Sequence, residues 1–202
     1  MRKYMYPFIE TIRIEDGKIW NLPYHQQRLD RTMAHFWPDA EAIDLKDVLK
    51  NALLTREETK AHIVYDNDGV KEISFVKYHP LNIHSLRLVT CDDIDYCYKS
   101  ADRSPLQKLK EQRGDCDEIV IIRKGLLTDT SYSNIALFDG EHWYTPRHPL
   151  LKGTMRQWLI DQGLLQEKDL QPVDLNSFQK LSLINAMMPL EFLEVKIKNI
   201  VK

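Results

Sequence analysis

Short strand-like runs outnumber helical ones along this chain, Asp-Gly turns join several of them into hairpins, and the helical stretches do not alternate regularly with strands. These features predict an α+β fold with antiparallel or mixed sheets rather than a doubly wound parallel sheet. A chain of 202 residues can bury a core as one large domain or two small ones. Hydrophobic residues at 43% and charged residues at 29% are ordinary for a globular chain. A formal net charge of -2 offers no field for nucleic acid, so the expected partner is a small molecule. Cys91, Cys97 and Cys116 have no paired short spacing, which suggests neither a disulfide framework nor a metal site and fits a reducing compartment. The opening residues contain no apolar run of signal-peptide length, and no later stretch is long enough to span a bilayer. The expectation is a cytoplasmic protein without membrane contact.

The first hairpin is predicted in "PFIETIRIEDGKIWNL", turning at Asp16-Gly17, a pair suited to positive φ. "LPYHQQRLDRTMAHFW" follows as a helix: Pro23 suits its first turn, and Leu29, Met33 and Phe36 recur at helical spacing. Asp44 is placed to cap a second helix, "DLKDVLKNALL". "KAHIVYDNDGVKEISFVKYH" reads as a hairpin around Asp68-Gly69, and the polar segment with Pro80 marks a boundary between domains 1–80 and 81–202. The second domain opens with the strand "LRLVTC" and a helix capped by Asp102 and closed by Gly114. Strands are expected in "DEIVIIR", "LLTDTSY", "SNIALFD" and "EHWYTP", helices in "LLKGTMRQWLIDQG" and "DLNSFQKL", and a final strand-like segment in "LINAMMPLEFLEVKIKNIVK".

Few catalytic patterns survive inspection. "GTMR" and "TSYSN" do not resemble a nucleophile elbow, and His79, His84, His142 and His148 lack the helical pairing of metal ligands. The glycines are scattered, without a phosphate-cradling run. Lys99, in "DYCYKSADR", lies shortly before a helix start, where a cation opposes the helix dipole by about 0.3–1 kcal/mol. Either it is a solvated lysine, or its charge is put to use, as when a lysine amine condenses with an aldehyde.

"KSADR" precedes "DCDEIVIIRKGLLTDTSYSNIALFDGEHWYTP" and "LLKGTMR", with "NLPYHQQRL" upstream and "LINAMMPL" downstream. In that order these motifs resemble the class IV aminotransferase family, the fold-type-IV pyridoxal phosphate enzymes that include 4-amino-4-deoxychorismate lyase and the branched-chain and D-amino-acid aminotransferases. The resemblance implies a D-amino-acid-aminotransferase-like fold with a shortened N-terminal domain, pyridoxal 5'-phosphate as cofactor, a primary amine as substrate, and a homodimer. It also implies that Lys99 holds the cofactor covalently and moves protons at the substrate carbon. Asp129 stands where the family usually carries a glutamate facing the pyridine nitrogen, and is one methylene shorter. Arg28 matches the arginine for the cofactor phosphate, Thr154 a helix start that receives phosphate oxygens, and Asn185, Ala186 and Met187 a loop beside phosphate or substrate. Bland alternatives stay open for these: a solvated helix face for Arg28, simple capping for Thr154, a buried strand for the loop.

"INAMMPL" resembles the lyase branch more than the branched-chain transaminases, which implies release of pyruvate and 4-aminobenzoate from aminodeoxychorismate. An aminotransferase acting on a branched-chain or D-amino acid is the second expectation. A non-catalytic cofactor-binding relative is the third, motivated by Asp129 and the short N-terminal domain.

Overall fold

Phe8, Ile12 and Ile14 alternate with more exposed residues along β1 (Phe8–Glu15), so one face of this strand is committed to a core. The turn into β2 (Lys18–Ile19) uses Asp16 at φ 48° and Gly17 at φ 71°, the left-handed pair a tight hairpin requires. The chain then enters α1 (Leu22–Phe36), with Pro23 in its first turn and Leu29 and Met33 buried. After α2 (Leu45–Val48), capped by the Asp44 carboxylate accepting from Lys46 N–H at 2.8 Å, come β3 (Thr59–Asp66) and β4 (Gly69–Lys77). The computed structural model describes residues 7–50 and 57–201; the end of the helix predicted after Asp44 lies outside them.

These elements form an antiparallel sheet ordered β2-β1-β3-β4. Ala61, Ile63 and Tyr65 of β3 join the β1 face, Leu29 and Met33 in one core. The β3–β4 turn is Asn67-Asp68 rather than Asp68-Gly69: Asp66 pairs with Gly69, whose φ of 102° places the glycine in the strand beyond the turn. Met1–His79 and Tyr98–Asp102 make up one compact unit, and Pro80–Cys97 with Arg103–Lys202 the other.

The second unit contains β5 (Leu86–Thr90), α3 (Ser104–Lys110), β6 (Glu118–Arg123), β7 (Leu126–Leu127), β8 (Asn134–Phe138) and β9 (Trp143–Pro146). It continues with α4 (Thr154–Asp161), β10 (Gln166–Lys168), β11 (Lys180–Ile184), β12 (Glu194–Lys196) and β13 (Ile200–Val201). One sheet runs β13-β5-β6-β7, with β5 parallel to both β13 and β6. The other runs β10-β9-β8-β11-β12, antiparallel except where β10 joins β9. Leu106 and Leu109 of α3 pack on Ile119 and Ile121, while Met155 and Leu159 of α4 pack on Ala136 and Ile184. Antiparallel and mixed sheets with a few helices make this the α+β architecture that the hairpin patterns predict.

Four local expectations give way to other structure. The residue at the α3 N-cap is Arg103, one beyond Asp102. The "LLTDTSY" strand ends after Leu127, because Thr130 N–H turns to the Ser133 carbonyl at 2.8 Å and Ser133 N–H to the Thr130 hydroxyl at 2.9 Å. The helix expected in "DLNSFQKL" is a 3-10 turn over Pro172–Ser177, and the final strand-like segment is broken at Asn185. Among the described residues no helix is long and apolar enough to cross a membrane, and no cluster of His, Cys, Asp or Glu could hold a metal ion.

Candidate functional site

In the first unit β2 covers only the last residues of β1, and the segment Tyr98–Asp102 bonds to its beginning. Ile9 N–H donates to the Lys99 carbonyl at 2.9 Å, Ala101 N–H to the Pro7 carbonyl at 2.9 Å, and Ser100 forms an antiparallel bridge with Phe8. Ser100 N–H also returns to the Tyr98 carbonyl at 2.8 Å, closing a three-residue turn centred on Lys99. Tyr98 fixes this segment from the side: its ring lies 4.8 Å from Phe36 and 4.9 Å from His35, on which it stacks. Lys99 is therefore half-buried on a pinned backbone, unlike a lysine on a free surface turn.

Glu10, next to the residue that holds Lys99, breaks the apolar alternation of β1. Its carboxylate is fully buried, accepting from Arg28 Nε at 2.8 Å, Arg28 Nη2 at 2.6 Å and His25 Nδ1 at 2.6 Å. His25 and Arg28, three apart on α1, share the face turned toward β1. Burial alone would raise the Glu10 pKa, but the charge and hydrogen bonds of Arg28, aided by His25, hold it down at about 2. His25 moves the same way for a different reason: burial lowers its pKa, the Glu10 contact opposes this, and the charges of Arg28 and Lys99 add to the lowering. An ionised Glu10 only accepts, so at neutral pH the proton of a neutral His25 sits on Nδ1. Arg28 is thus no solvated helix residue; its guanidinium is aimed by a buried carboxylate.

The second unit contains Asp129, Thr154 and the turn at Asn185–Met187. Asp129 is 5% exposed, with Oδ1 accepting from Asn134 Nδ2 at 2.8 Å and Oδ2 from Leu151 N–H at 2.9 Å. Burial pushes its pKa up to about 6, against these hydrogen bonds and the more distant Arg156 charge. Asn134 also donates to the Leu151 carbonyl at 2.8 Å, so one amide ties the acid to the segment leading into α4. A Cβ on Gly153 would meet Asn134 Oδ1 at 2.0 Å, so it is the neighbouring amide that requires glycine here. Thr154 is buried at the first position of α4.

The loop after Asp129 is braced by Arg103 Nη2 on the Ser131 carbonyl at 2.8 Å and by the Ser131 hydroxyl on buried Glu118 at 2.9 Å. Asn185 Nδ2 reaches the Ser133 hydroxyl at 3.1 Å, while its Oδ1 accepts from Met187 N–H at 2.9 Å and Met188 N–H at 3.1 Å. Met187 accordingly spends its N–H inside the turn and buries its side chain; Ala186, at the turn's tip, is half-buried.

The residues singled out in the sequence thus divide into Lys99 with Arg28, and Asp129 with Thr154 and Asn185–Met187. Sequence reasoning missed Glu10, His25 and Asn134. Two signals were available: a glutamate at an apolar position of an alternating strand, and the i, i+3 spacing of His25 and Arg28.

The family described as amino-transferase class IV matches residues 104–192. An uncharacterized protein of Haemophilus influenzae is 37% identical over 191 residues, covering 91% of this chain and 98% of its own. A crystal structure from Haemophilus somnus, described as a "putative 4-amino-4-deoxychorismate lyase", is 34% identical with a TM-score of 0.87, over 93% of this chain and 99% of that one. A "hypothetical aminotransferase" from Mycobacterium tuberculosis, solved in PLP-bound form, shares the fold at 16% identity with a TM-score of 0.78, over 96% of this chain and 81% of that one. Likeness across nearly the whole chain, together with the matched segment that carries Asp129, Thr154 and the Asn185 turn, means that the chain belongs to the class IV aminotransferase family.

Proposed function

We propose that the chain is a pyridoxal-phosphate enzyme of the lyase type, releasing pyruvate and 4-aminobenzoate from aminodeoxychorismate. The observation that carries the cofactor reading is Asp129. It is a buried carboxylate whose hydrogen-bond donors are a neutral amide and backbone N–H groups; among the described residues no cation stands within 4.0 Å of it, and the Arg156 charge only partly offsets its burial. A protonated pyridine nitrogen is a cationic N–H donor of the kind such a group accommodates. The shorter aspartate is compatible with the role because Asn134 and Leu151 fix both its oxygens. The lyase reading is supported by the similarity to the Haemophilus somnus structure and by "INAMMPL".

When bound, the cofactor supplies an electron sink for charge developing at the substrate carbon next to the amine. Lys99 would anchor it and then, as a free amine, take the proton from that carbon. Breaking the ether bond to the enolpyruvyl group makes the ring aromatic, and the departing group gains a proton to become pyruvate. Arg28, aimed by Glu10, would bind the phosphate through charge-assisted hydrogen bonds; Thr154 and the Asn185–Met187 turn would supply further contacts. Asp129 would hold the proton on the ring nitrogen. The reading includes a homodimer, measurable by sedimentation.

Borohydride reduction of protein incubated with pyridoxal phosphate, followed by peptide mapping, should place the pyridoxyl mass on Lys99; its absence there defeats the reading. With aminodeoxychorismate, 4-aminobenzoate should form without any 2-oxo acid. A strict need for a 2-oxo acid, with stoichiometric formation of pyridoxamine phosphate, would instead favour the aminotransferase.

A further inference from the structure

Within the second unit, the β6–β7 turn and the segment after β9 flank an open cavity of about 610 Å³. Arg123, Lys124, Arg147, His148, Lys152 and Glu167 supply its charged and titratable lining, over an apolar floor of Leu126 and Pro149. That size suits a small organic ligand.

The charges of the cavity are unbalanced. Its one carboxylate, Glu167, is already paired with Arg156 at 2.6 Å, and Asp169 stands 3.5 Å from both Arg147 and His148 in an exposed, solvent-screened arrangement. The Asp92 carboxylate accepts from the Lys124 backbone N–H at 2.6 Å and leaves the ammonium group aside. Among the described residues, the side chains of Arg123, Lys124 and Lys152 have no carboxylate within 4.0 Å. Arg123 Nε is moreover buried without a hydrogen-bond acceptor. Cations lining a cleft without a neighbouring carboxylate favour an anion there, through charge-assisted hydrogen bonds from their guanidinium and ammonium groups.

We propose that this cavity binds a small organic polyanion, a ligand whose two or more carboxylate or phosphate groups meet Arg123, Lys124 and Lys152 while its carbon body rests on Leu126 and Pro149. None of Lys99, Arg28, Asp129, Thr154 or Asn185 lines it, so the cavity is distinct from the residues of the cofactor reading, although Thr128 and Lys152 are close to them in sequence.

The test is calorimetric titration of citrate and of inorganic pyrophosphate, at constant ionic strength, into the full chain preincubated with pyridoxal phosphate and desalted. At least one probe should bind saturably; citrate alone identifies a carboxylate ligand, pyrophosphate alone a phosphate one. Exchange of two exposed lysines in the cavity, Lys124→Gln with Lys152→Gln, should weaken binding about tenfold or more. Arg123→Gln should weaken it too. The control pair Lys196→Gln with Lys198→Gln removes the same charge from the same unit outside the cavity and should leave binding intact. Absence of saturable binding by either probe overturns the proposal, as does equal weakening by the cavity and control pairs.

Discussion

Glu10 is the most consequential single residue that the structure adds. Removing its charge leaves the Arg28 guanidinium buried without its counter-ion, so Glu10→Gln should destabilise the chain by about 3–5 kcal/mol in urea unfolding at pH 7. Its pKa lies near 2 in the fold, below the ordinary carboxylate value of 4.5, so its stabilisation is complete above about pH 4.5 and is lost as pH falls toward 2. The gap corresponds to about 3 kcal/mol. The stability difference between wild type and Glu10→Gln should therefore shrink across that interval. Asp129 poses the opposite problem. Asp129→Asn removes the charge that would face a ring nitrogen, and a lost charge-assisted hydrogen bond should weaken pyridoxal phosphate binding about 10- to 100-fold, read from the visible absorbance on titration.

At the scale of elements, two attachments decide where the candidate residues stand. Tyr98 clamps the Lys99 turn against Phe36 and His35, so Tyr98→Ala, at a half-buried position, should cost about 1–3 kcal/mol on thermal unfolding and lower the yield of borohydride labelling at Lys99. Gly153 lets the start of α4 approach Asn134, whose amide is held on both sides by Asp129 and Leu151 and has little room to retreat. Gly153→Ala should cost about 1–3 kcal/mol and release the Asn134–Asp129 contact, although the φ of -70° suits alanine. A destabilisation that appears while the backbone angle is compatible would assign the cost to packing.

For the whole molecule, pH dependence separates the contributions of Glu10 and Asp129. Asp129 has a folded pKa of about 6 against an ordinary value of 3.8, so between these the folded cofactor-free chain holds the extra proton. Its ionisation therefore destabilises the fold progressively as pH rises from about 4 to 6, by about 3 kcal/mol in total. Relative to Asp129→Asn, the wild type should lose stability across that window, and saturating pyridoxal phosphate should reduce the loss. Glu10 contributes its slope lower on the scale and with the opposite sign. Thermal midpoints of the two variants against wild type, taken from pH 2 to 7, resolve both.

Periodicity and turn chemistry sufficed for most strands, the long α1 helix, the Asp16-Gly17 hairpin and the α+β class, because these depend on neighbours a few residues apart. Motif order was enough to single out Lys99, Arg28 and Asp129. Folding alone revealed that Arg28 answers to a carboxylate eighteen positions earlier and Asp129 to an amide and a backbone N–H on different segments. The strand expected through Asp129 and the one expected through Asn185 both gave way to turns for the same reason: side-chain oxygens of Thr130 and Asn185 captured backbone N–H groups that a ladder would have used. Such choices rest on which donors and acceptors meet after burial, and spacing along a chain does not encode that.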